Sequence, residues 1–422
     1  MKNAVKWSSL ALAVAAGNGL LATHAMAEGE GFVEGASATL YNRTVYFNRD
    51  FRDDTVGQSK RDETATGFLL NFQSGFTQGP IGFGADVVAM LGVKLDSTRD
   101  DAGTGLLALD NNGRAKDEYS EIRGALKMAI LDDTVLRYGI HQPENPVAYY
   151  YDSRLLPNHY QGYSITNNSI DALFVEAGRL TDRGEMNSSN ETDGIHADGK
   201  DLTYFGGTYT FTDNVNLSLY GADSEDQYKR GFVGFDWTIP LSEGTSLNTY
   251  VAYYDTSDEN KNDGDEYDNQ AGSIAVTLST GNHSFGLAYQ QMNGDGRYNY
   301  DDGEIYLANS VQYSDFNGID EKSYQARYDY DFAGLGIPGL TFMTRYIYGT
   351  DIDVNAPEHA ADGVTRDNHW ERDSELQYVV QNGYLEGLSV RWRNATVRQD
   401  ANFDGGDVDE NRLIVGYTWT LL

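Results

Sequence analysis

Cysteine, proline, basic residues and long apolar runs are all scarce in this chain. Its 422 residues include no Cys and only 7 Pro, which excludes a disulfide framework and thiol chemistry. Lys and Arg number 31 against 64 Asp and Glu, giving a formal net charge of −33. Such a chain repels phosphate backbones, so we expect no nucleic-acid partner. No segment after Ala27 approaches the roughly 18 consecutive apolar residues of a transmembrane helix.

The first residues have the pattern of a secretory signal peptide. Lys2 and Lys6 form a short basic region, an apolar stretch runs from Leu10 to Leu21, and an Ala-x-Ala pattern ends at Ala27. We therefore predict a signal peptide over residues 1–27 and one exported domain over residues 28–422.

The exported part contains repeated runs in which apolar and polar residues alternate with a period of two. In the closing run, Leu413, Val415 and Tyr417 share one face, while Arg412 and Gly416 share the other. A soluble sandwich could bury the apolar face, but it would leave the arginines to bulk water. A transmembrane barrel turns the apolar face to lipid and the polar face to an enclosed lumen.

The links between these runs are alternately short and long, and acidic residues gather in the long ones. The runs number about eighteen, within the range of transmembrane barrels. We predict an all-β fold, a transmembrane antiparallel up-and-down β-barrel of about 18 strands, with short turns on the periplasmic side and long acidic links outside. One of the short turns is predicted at Asn167–Ser169.

The link over residues 142–160 differs from the others because it is both long and rich in aromatic and apolar side chains. A loop in water would not normally carry them, so we expect this link to fold into the lumen. Without such a loop, a barrel of this width would enclose a wide, unselective channel. The residues expected to form the constriction are Tyr149, Tyr150, Tyr151, Asp152, Ser153 and Arg154.

Arginines recur on the polar faces of the predicted strands. One interpretation is that each pairs with an acid of the lumen, such as Asp86, Asp236 or Asp329. The other is a positive track that guides carboxylates, which several arginines at similar depth favour. Alternation leaves the face of Arg43 unassigned. The predicted track consists of Arg43, Arg137, Arg327, Arg345, Arg391, Arg393 and Arg412.

No catalytic, metal or cofactor site is predicted. The chain lacks the G-x-S-x-G and H-E-x-x-H patterns that would fix a nucleophile or a zinc site, so any triad would be arbitrary. A barrel enzyme, such as a protease or lipase, and a closed receptor or adhesin remain the competing classes.

Several blocks of the sequence resemble the OprD family of substrate-specific porins, and the similarity runs from about Phe32 to Leu422. The blocks that carry it are Tyr46–Asp50, Ser74–Thr77, Asp152–Pro157, Leu307–Gly318, Gln325–Asp329, Gly336–Met343, Trp392–Arg398 and Asn411–Val415.

The resemblance implies an 18-stranded outer-membrane barrel, a third external loop folded into the lumen and a basic ladder on the wall facing it. It also implies passive uptake of small carboxylate-bearing solutes. The ladder positions that match are Arg43, Arg137, Arg391, Arg393 and Arg412, while Arg327 and Arg345 come from strand parity.

The resemblance leaves the substrate open. Leu307–Gly318 looks like the branch for basic amino acids, whereas Asp152–Pro157 and Gly336–Met343 look like the branch for aromatic carboxylates. Acidic loop residues such as Asp152 favour a basic amino acid or small peptide slightly. The expected surroundings are outer-membrane lipid and lipopolysaccharide, and the expected assembly is a monomer or weak trimer.

Overall fold

The computed structural model describes residues 31–52, 57–131, 133–195, 200–259, 268–296, 298, 306–353, 368–399 and 406–422. The predicted signal peptide lies outside these ranges. The strands within them are β1 Ser37–Phe51, β2 Lys60–Gln73, β3 Ile81–Ser97, β4 Glu118–Ile130, β5 Thr134–His141, β6 Glu144–Asn145, β7 Ala148–Tyr149, β8 His159–Ile170, β9 Leu173–Gly184, β10 Glu191–Asp193, β11 Leu202–Thr212, β12 Val215–Ser224, β13 Tyr228–Ser242, β14 Thr245–Asp258, β15 Asn269–Thr280, β16 His283–Gly294, β17 Lys322–Asp331, β18 Leu340–Thr350, β19 His369–Val379, β20 Ser389–Gln399 and β21 Val408–Thr420.

Eighteen of these strands form a closed antiparallel barrel, which confirms the predicted fold class. Each barrel strand pairs with the next one in the chain, and β1 also pairs with β21, from Thr39 opposite Thr420 to Phe51 opposite Val408. The other three strands are short. β6 and β7 pair with each other, and β10 pairs antiparallel with the last residues of β9.

The two faces of the wall differ as the alternation predicts. Outward side chains such as Ile122, Phe205 and Leu287 are 67 to 68% exposed on the isolated chain, as lipid-facing residues would be. Inward side chains include Asp86 and Arg412, which are 2% and 4% exposed. The polar face is therefore buried inside the barrel.

The connections at one rim are short turns, with glycines at positive φ where hairpins need them, as at Gly244 and Gly281. The turn predicted at Asn167–Ser169 is wrong. β8 continues to Ile170, and the chain reverses at the next two residues, where Ala172 has a φ of 68°. Asn167 stays in the sheet because it pairs with Thr134 of β5 and donates a hydrogen bond to its hydroxyl at 2.7 Å.

The links at the opposite rim are mostly long, but the one between β12 and β13 spans only residues 225–227. The prediction that every link at this rim is long is therefore wrong at that position. A 3-10 turn, Phe332–Leu335, connects β17 to β18. In the part of the chain that the structure describes, no helix is long and apolar enough to cross a membrane.

Candidate functional site

Six of the seven predicted arginines line one central cavity of about 460 Å³. Arg393 and Arg412 face each other across β20 and β21, and Arg327 and Arg345 do so across β17 and β18. A second cavity of about 220 Å³ shares part of this lining. The arginines that border both cavities are Arg43, Arg154, Arg391, Arg393 and Arg412.

Carboxylates of the wall and of one loop contact these arginines. The ion pairs are Arg43 with Asp152 at 2.6 Å, Arg345 with Asp373 at 2.7 Å, Arg412 with Glu410 at 2.7 Å, Arg327 with Asp329 at 2.8 Å and Arg393 with Glu375 at 3.1 Å. Arg391 also approaches Glu375, at 4.0 Å. These arginines thus pair with acids and also line the cavities. Pairing with acids of the lumen therefore does not exclude a positive track.

The lining of the larger cavity remains rich in positive charge. Its charged members, among the described residues, are two aspartates and seven arginines. Fixed guanidinium groups in an enclosed space are suited to bind carboxylates by charge-assisted hydrogen bonds. These residues are Asp152, Asp315, Arg43, Arg154, Arg327, Arg345, Arg391, Arg393 and Arg412.

Arg137 lies apart from the other predicted arginines. It extends from β5 to Asp86 of β3 at 2.6 Å, and Lys127 of β4 approaches the same carboxylate at 2.7 Å. Arg137 also donates to the carbonyl of Ile140 at 3.0 Å. It lines neither of the two cavities, so the structure does not bring it to the other six.

The loop over residues 142–158 contacts walls that lie on two sides of the barrel. At one end, Asp152 accepts hydrogen bonds from Arg43 of β1, and the carbonyl of Ser153 accepts one from Arg412 of β21 at 3.2 Å. At the other, Tyr254 of β14 donates to the carbonyl of Pro146 at 3.0 Å. Since β14 is eleventh in the barrel order that starts at β1, these walls face each other across the lumen.

Polar side chains within this loop fix its local shape. The side-chain oxygen of Asn145 accepts hydrogen bonds from the backbone of Val147 and Ala148, at 3.1 and 2.8 Å. Asn158 accepts one from the backbone of Tyr151 at 2.6 Å. The predicted constriction residues that line the larger cavity are Tyr149, Tyr151, Asp152, Ser153 and Arg154.

Tyr150 is the one predicted constriction residue outside that lining. It is 6% exposed and packs in an apolar cluster with Tyr204 of β11 and Phe232 of β13. Its ring stacks on Tyr149, with centroids 5.3 Å apart. Burial raises the pKa of the Tyr150 hydroxyl well above its usual value, so this side chain stays neutral and acts as an anchor.

A second loop, residues 98–117, packs against the first. Leu106 and Leu107 share a buried cluster with Leu155 and Leu156. Gly67 of β2 leaves the space for this contact, because an added Cβ would lie 3.0 Å from Leu156. The second loop therefore supports the segment that carries Asp152.

A third loop lines the larger cavity with residues that were not predicted to be part of the site. Glu371 of β19 holds it by accepting backbone hydrogen bonds from Tyr313 and Ser314, at 2.9 and 2.8 Å. The signal in the sequence is a long link that carries Tyr306, Leu307, Val311, Tyr313 and Phe316 among polar residues without alternation. The lining residues are Leu307, Ala308, Ser310, Val311, Gln312, Tyr313 and Asp315.

A family model described as outer membrane porin, OprD family, matches residues 30–421. The chain belongs to the OprD family. Porin D of Pseudomonas aeruginosa is 40% identical over 444 residues, which cover 99% of each chain. The match confirms the family that the sequence blocks indicated.

Solved structures of family members superpose on the barrel. Pseudomonas aeruginosa OccK9 (OpdG) gives a TM-score of 0.85 at 37% identity, over 93% of this chain and 100% of the other. The structure of Pseudomonas aeruginosa OpdK with vanillate gives a TM-score of 0.82 at 31% identity, over 92% of this chain and 100% of the other.

Membership in the OprD family makes this protein an outer-membrane porin, as predicted. Its surroundings are outer-membrane lipid and lipopolysaccharide, and its substrates are small molecules. The relatives named above are channels, and channels are not enzymes.

Proposed function

We propose that this porin takes up small carboxylate-bearing solutes passively and that its arginine-rich cavity selects them. The observation that supports this function is the lining of the larger cavity, in which arginines outnumber aspartates seven to two among the described residues. An enclosed lumen has a lower dielectric than bulk water, which strengthens the attraction of each arginine for an anion.

The paired acids favour transport over tight capture. Glu375 pairs with Arg393 at 3.1 Å and approaches Arg391 at 4.0 Å, and both arginines still line the cavity. A solute carboxylate then competes with the acid of the wall and binds weakly at each position. Several similar weak positions allow passage, whereas one deep site would hold the solute.

The loop over residues 142–158 forms the constriction in this proposal. Its contacts with β1, β21 and β14, which belong to walls that face each other, support this role. The loop over residues 98–117 packs against it, and the loop over residues 306–321 lines the same cavity. Solutes would pass between Asp152–Arg154 and the arginines of β20.

Two substrate classes share the required carboxylate. From the sequence, Asp152 was expected to attract the cationic end of a solute. In the structure Arg43 contacts both of its carboxylate oxygens, so Asp152 is less suited to bind a second cation. Asp315 lines the same cavity and is suited to attract the cationic end of a basic amino acid or small peptide. Aromatic carboxylates are the second candidate, supported by the OpdK structure with vanillate and by Tyr149 and Tyr313 in the lining.

Uptake into liposomes tests the proposal and separates the two classes. Wild-type protein and Arg391→Ala/Arg393→Ala are compared for uptake of arginine, benzoate and a neutral sugar. We expect the double variant to lose carboxylate uptake and to keep sugar uptake. Arg179→Ala is the control, because Arg179 is half-buried, pairs with Asp201 and lines neither cavity. An equal loss of sugar uptake would show that these arginines shape the pore without recognising carboxylates.

Planar-bilayer recording tests the channel itself against the two competing classes. We expect discrete conductance steps from purified, folded protein. A folded barrel that does not conduct but hydrolyses a peptide or lipid would be an enzyme, and one that only binds a macromolecule would be a receptor or adhesin.

A further inference from the structure

Glu410 of β21 is a buried carboxylate of the barrel wall, between β1 and β20. Arg49 lies directly opposite it on β1 and donates to one of its carboxylate oxygens from two nitrogens, at 2.6 and 3.0 Å. Arg412 donates to the other oxygen from Nε at 2.7 Å. Charge-assisted hydrogen bonds from two sides therefore fix the position of this carboxylate.

Arg412 connects Glu410 to the loop over residues 142–158. Its Nε and Nη2 atoms contact Glu410, while its Nη1 atom donates to the carbonyl of Ser153 at 3.2 Å. One planar guanidinium makes both contacts, so a shift of the carboxylate also moves the donor to the loop. The ring of Phe47 adds to this connection, since its centroid lies 4.4 Å from the guanidinium carbon of Arg412 and 5.6 Å from that of Arg154.

A second connection joins Glu410 to the loop over residues 306–321. The side-chain nitrogen of Gln312 donates to Glu410 at 3.1 Å, on the same oxygen that accepts from Arg412. The ring of Tyr313 lies against the other arginine, with its centroid 4.8 Å from the guanidinium carbon of Arg49. Glu410 and its two arginines therefore contact both loops.

At the facing wall, Tyr254 of β14 brings the same two loops together. Its hydroxyl donates to the carbonyl of Pro146 at 3.0 Å and accepts from the backbone of Tyr306 at 3.1 Å. Tyr306 in turn donates to the carbonyl of Glu144 at 3.3 Å, and its ring meets that of Tyr149 edge-on, with centroids 6.3 Å apart. The two loops are thus connected at both walls, and both contribute to the lining of the larger cavity.

We propose that Glu410 is a positioning residue that couples the loops over residues 142–158 and 306–321, so that displacement of one loop displaces the other. The inference rests on the proposed role of these loops at the constriction. A solute that pushes one loop aside would then widen the passage on both sides. If Glu410 only balanced the charges of its arginines, a change at Gln312 would have no effect at Ser153.

The mobility of a spin label at position 153 tests this coupling, because Ser153 is exposed and the chain has no native cysteine. Ser153→Cys is labelled with a nitroxide in the full-length barrel, and its rotational correlation time is measured by electron paramagnetic resonance. We expect Gln312→Ala to shorten this time, although the change is made in the other loop. Gln291→Ala is the matched control, since Gln291 hydrogen-bonds with Tyr289 and Asn293 on β16, and it should leave the time unchanged.

Glu410→Gln completes a double-mutant cycle in the same labelled protein. Glutamine has nearly the shape of glutamate without its charge, so this variant should shorten the correlation time by itself. Adding Gln312→Ala should then have little further effect, because the connection is already broken. Additive effects of the two changes, or an unchanged label in Gln312→Ala, would overturn the proposal. Gln312→Ala keeps both ion pairs of Glu410, so it decides the question even if Glu410→Gln fails to fold.

The mobility measurement does not depend on uptake, so the coupling and the proposed function can fail separately. Coupled loops in a barrel that takes up benzoate no better than a neutral sugar would contradict carboxylate selection and support the coupling. Selective uptake of benzoate, with a label that does not respond to Gln312→Ala, would overturn the coupling alone.

Discussion

Two hydrogen bonds between Arg43 of the barrel wall and Asp152 join the wall to the loop over residues 142–158. The two terminal guanidinium nitrogens each lie 2.6 Å from a different carboxylate oxygen. Both side chains are nearly buried, with 8% and 11% exposure. Breaking a buried pair by removing one partner costs about 3–5 kcal/mol, so this contact has a large part in holding the loop.

Asp152→Asn should therefore loosen the loop and release the positive charge of Arg43 into the cavity. We expect a larger single-channel conductance and a stronger preference for anions, measured in planar bilayers from conductance and reversal potential. Asp117→Asn is the control, because it removes the same charge from a side chain that is 90% exposed. An unchanged conductance in Asp152→Asn, with the barrel folded, would show that the pair does not position a constriction.

Removing the loop tip tests the constriction more severely. Deletion of residues 149–155 takes away the tyrosines, Asp152 and Arg154 that line the larger cavity. Conductance should rise and discrimination between benzoate and a neutral sugar should fall. Deletion of residues 384–386, in the exposed turn between β19 and β20 and outside both cavities, serves as the control. Should the first deletion leave conductance as it was, the narrowest part of the pore lies elsewhere.

Glu375→Gln should strengthen carboxylate binding, because Glu375 competes with the solute for Arg391 and Arg393. A gain of ~1.4 kcal/mol would lower the half-saturating concentration roughly tenfold. The maximal uptake rate should fall, since tighter binding delays release. Concentration-dependent uptake into liposomes gives both quantities.

Glu176→Gln is the matched control for this substitution, since Glu176 accepts a hydrogen bond from Tyr220 on a different wall and lines neither cavity. Weaker carboxylate uptake at low concentration in Glu375→Gln would contradict the prediction. It would mean that Glu375 is needed to hold the arginines in place.

Local alternation was enough to predict the faces of the strands. Trp392 and Arg393 are on opposite sides of β20, as the period of two requires, with Trp392 41% exposed and Arg393 in the cavity lining. Alternation failed at Arg43, whose inward direction is evident from its contact with Asp152.

The contacts of the loops could not be predicted, because they join residues far apart in the sequence. Arg412 binds the carbonyl of Ser153 across 259 positions, and Glu371 binds the backbone of Tyr313 across 58. The wrong turn at Asn167–Ser169 has a related cause. Asn167 is a residue type that favours turns, but its pairing with Thr134 of β5 keeps it in β8.

The loop over residues 98–117 packs against the loop over residues 142–158 through buried leucines. Leu106 is fully buried against Leu155 and Leu156, and a Leu→Ala change in such a site costs about 2–5 kcal/mol. The barrel itself is closed by strand pairing, so Leu106→Ala should weaken the docking of the loops and leave the barrel intact. We expect noisier open-channel current in bilayers and an unchanged thermal transition of the barrel by circular dichroism. Leu109→Ala, on the same loop but 46% exposed, should change neither. Identical current noise in both variants would show that residues 98–117 do not support the constriction.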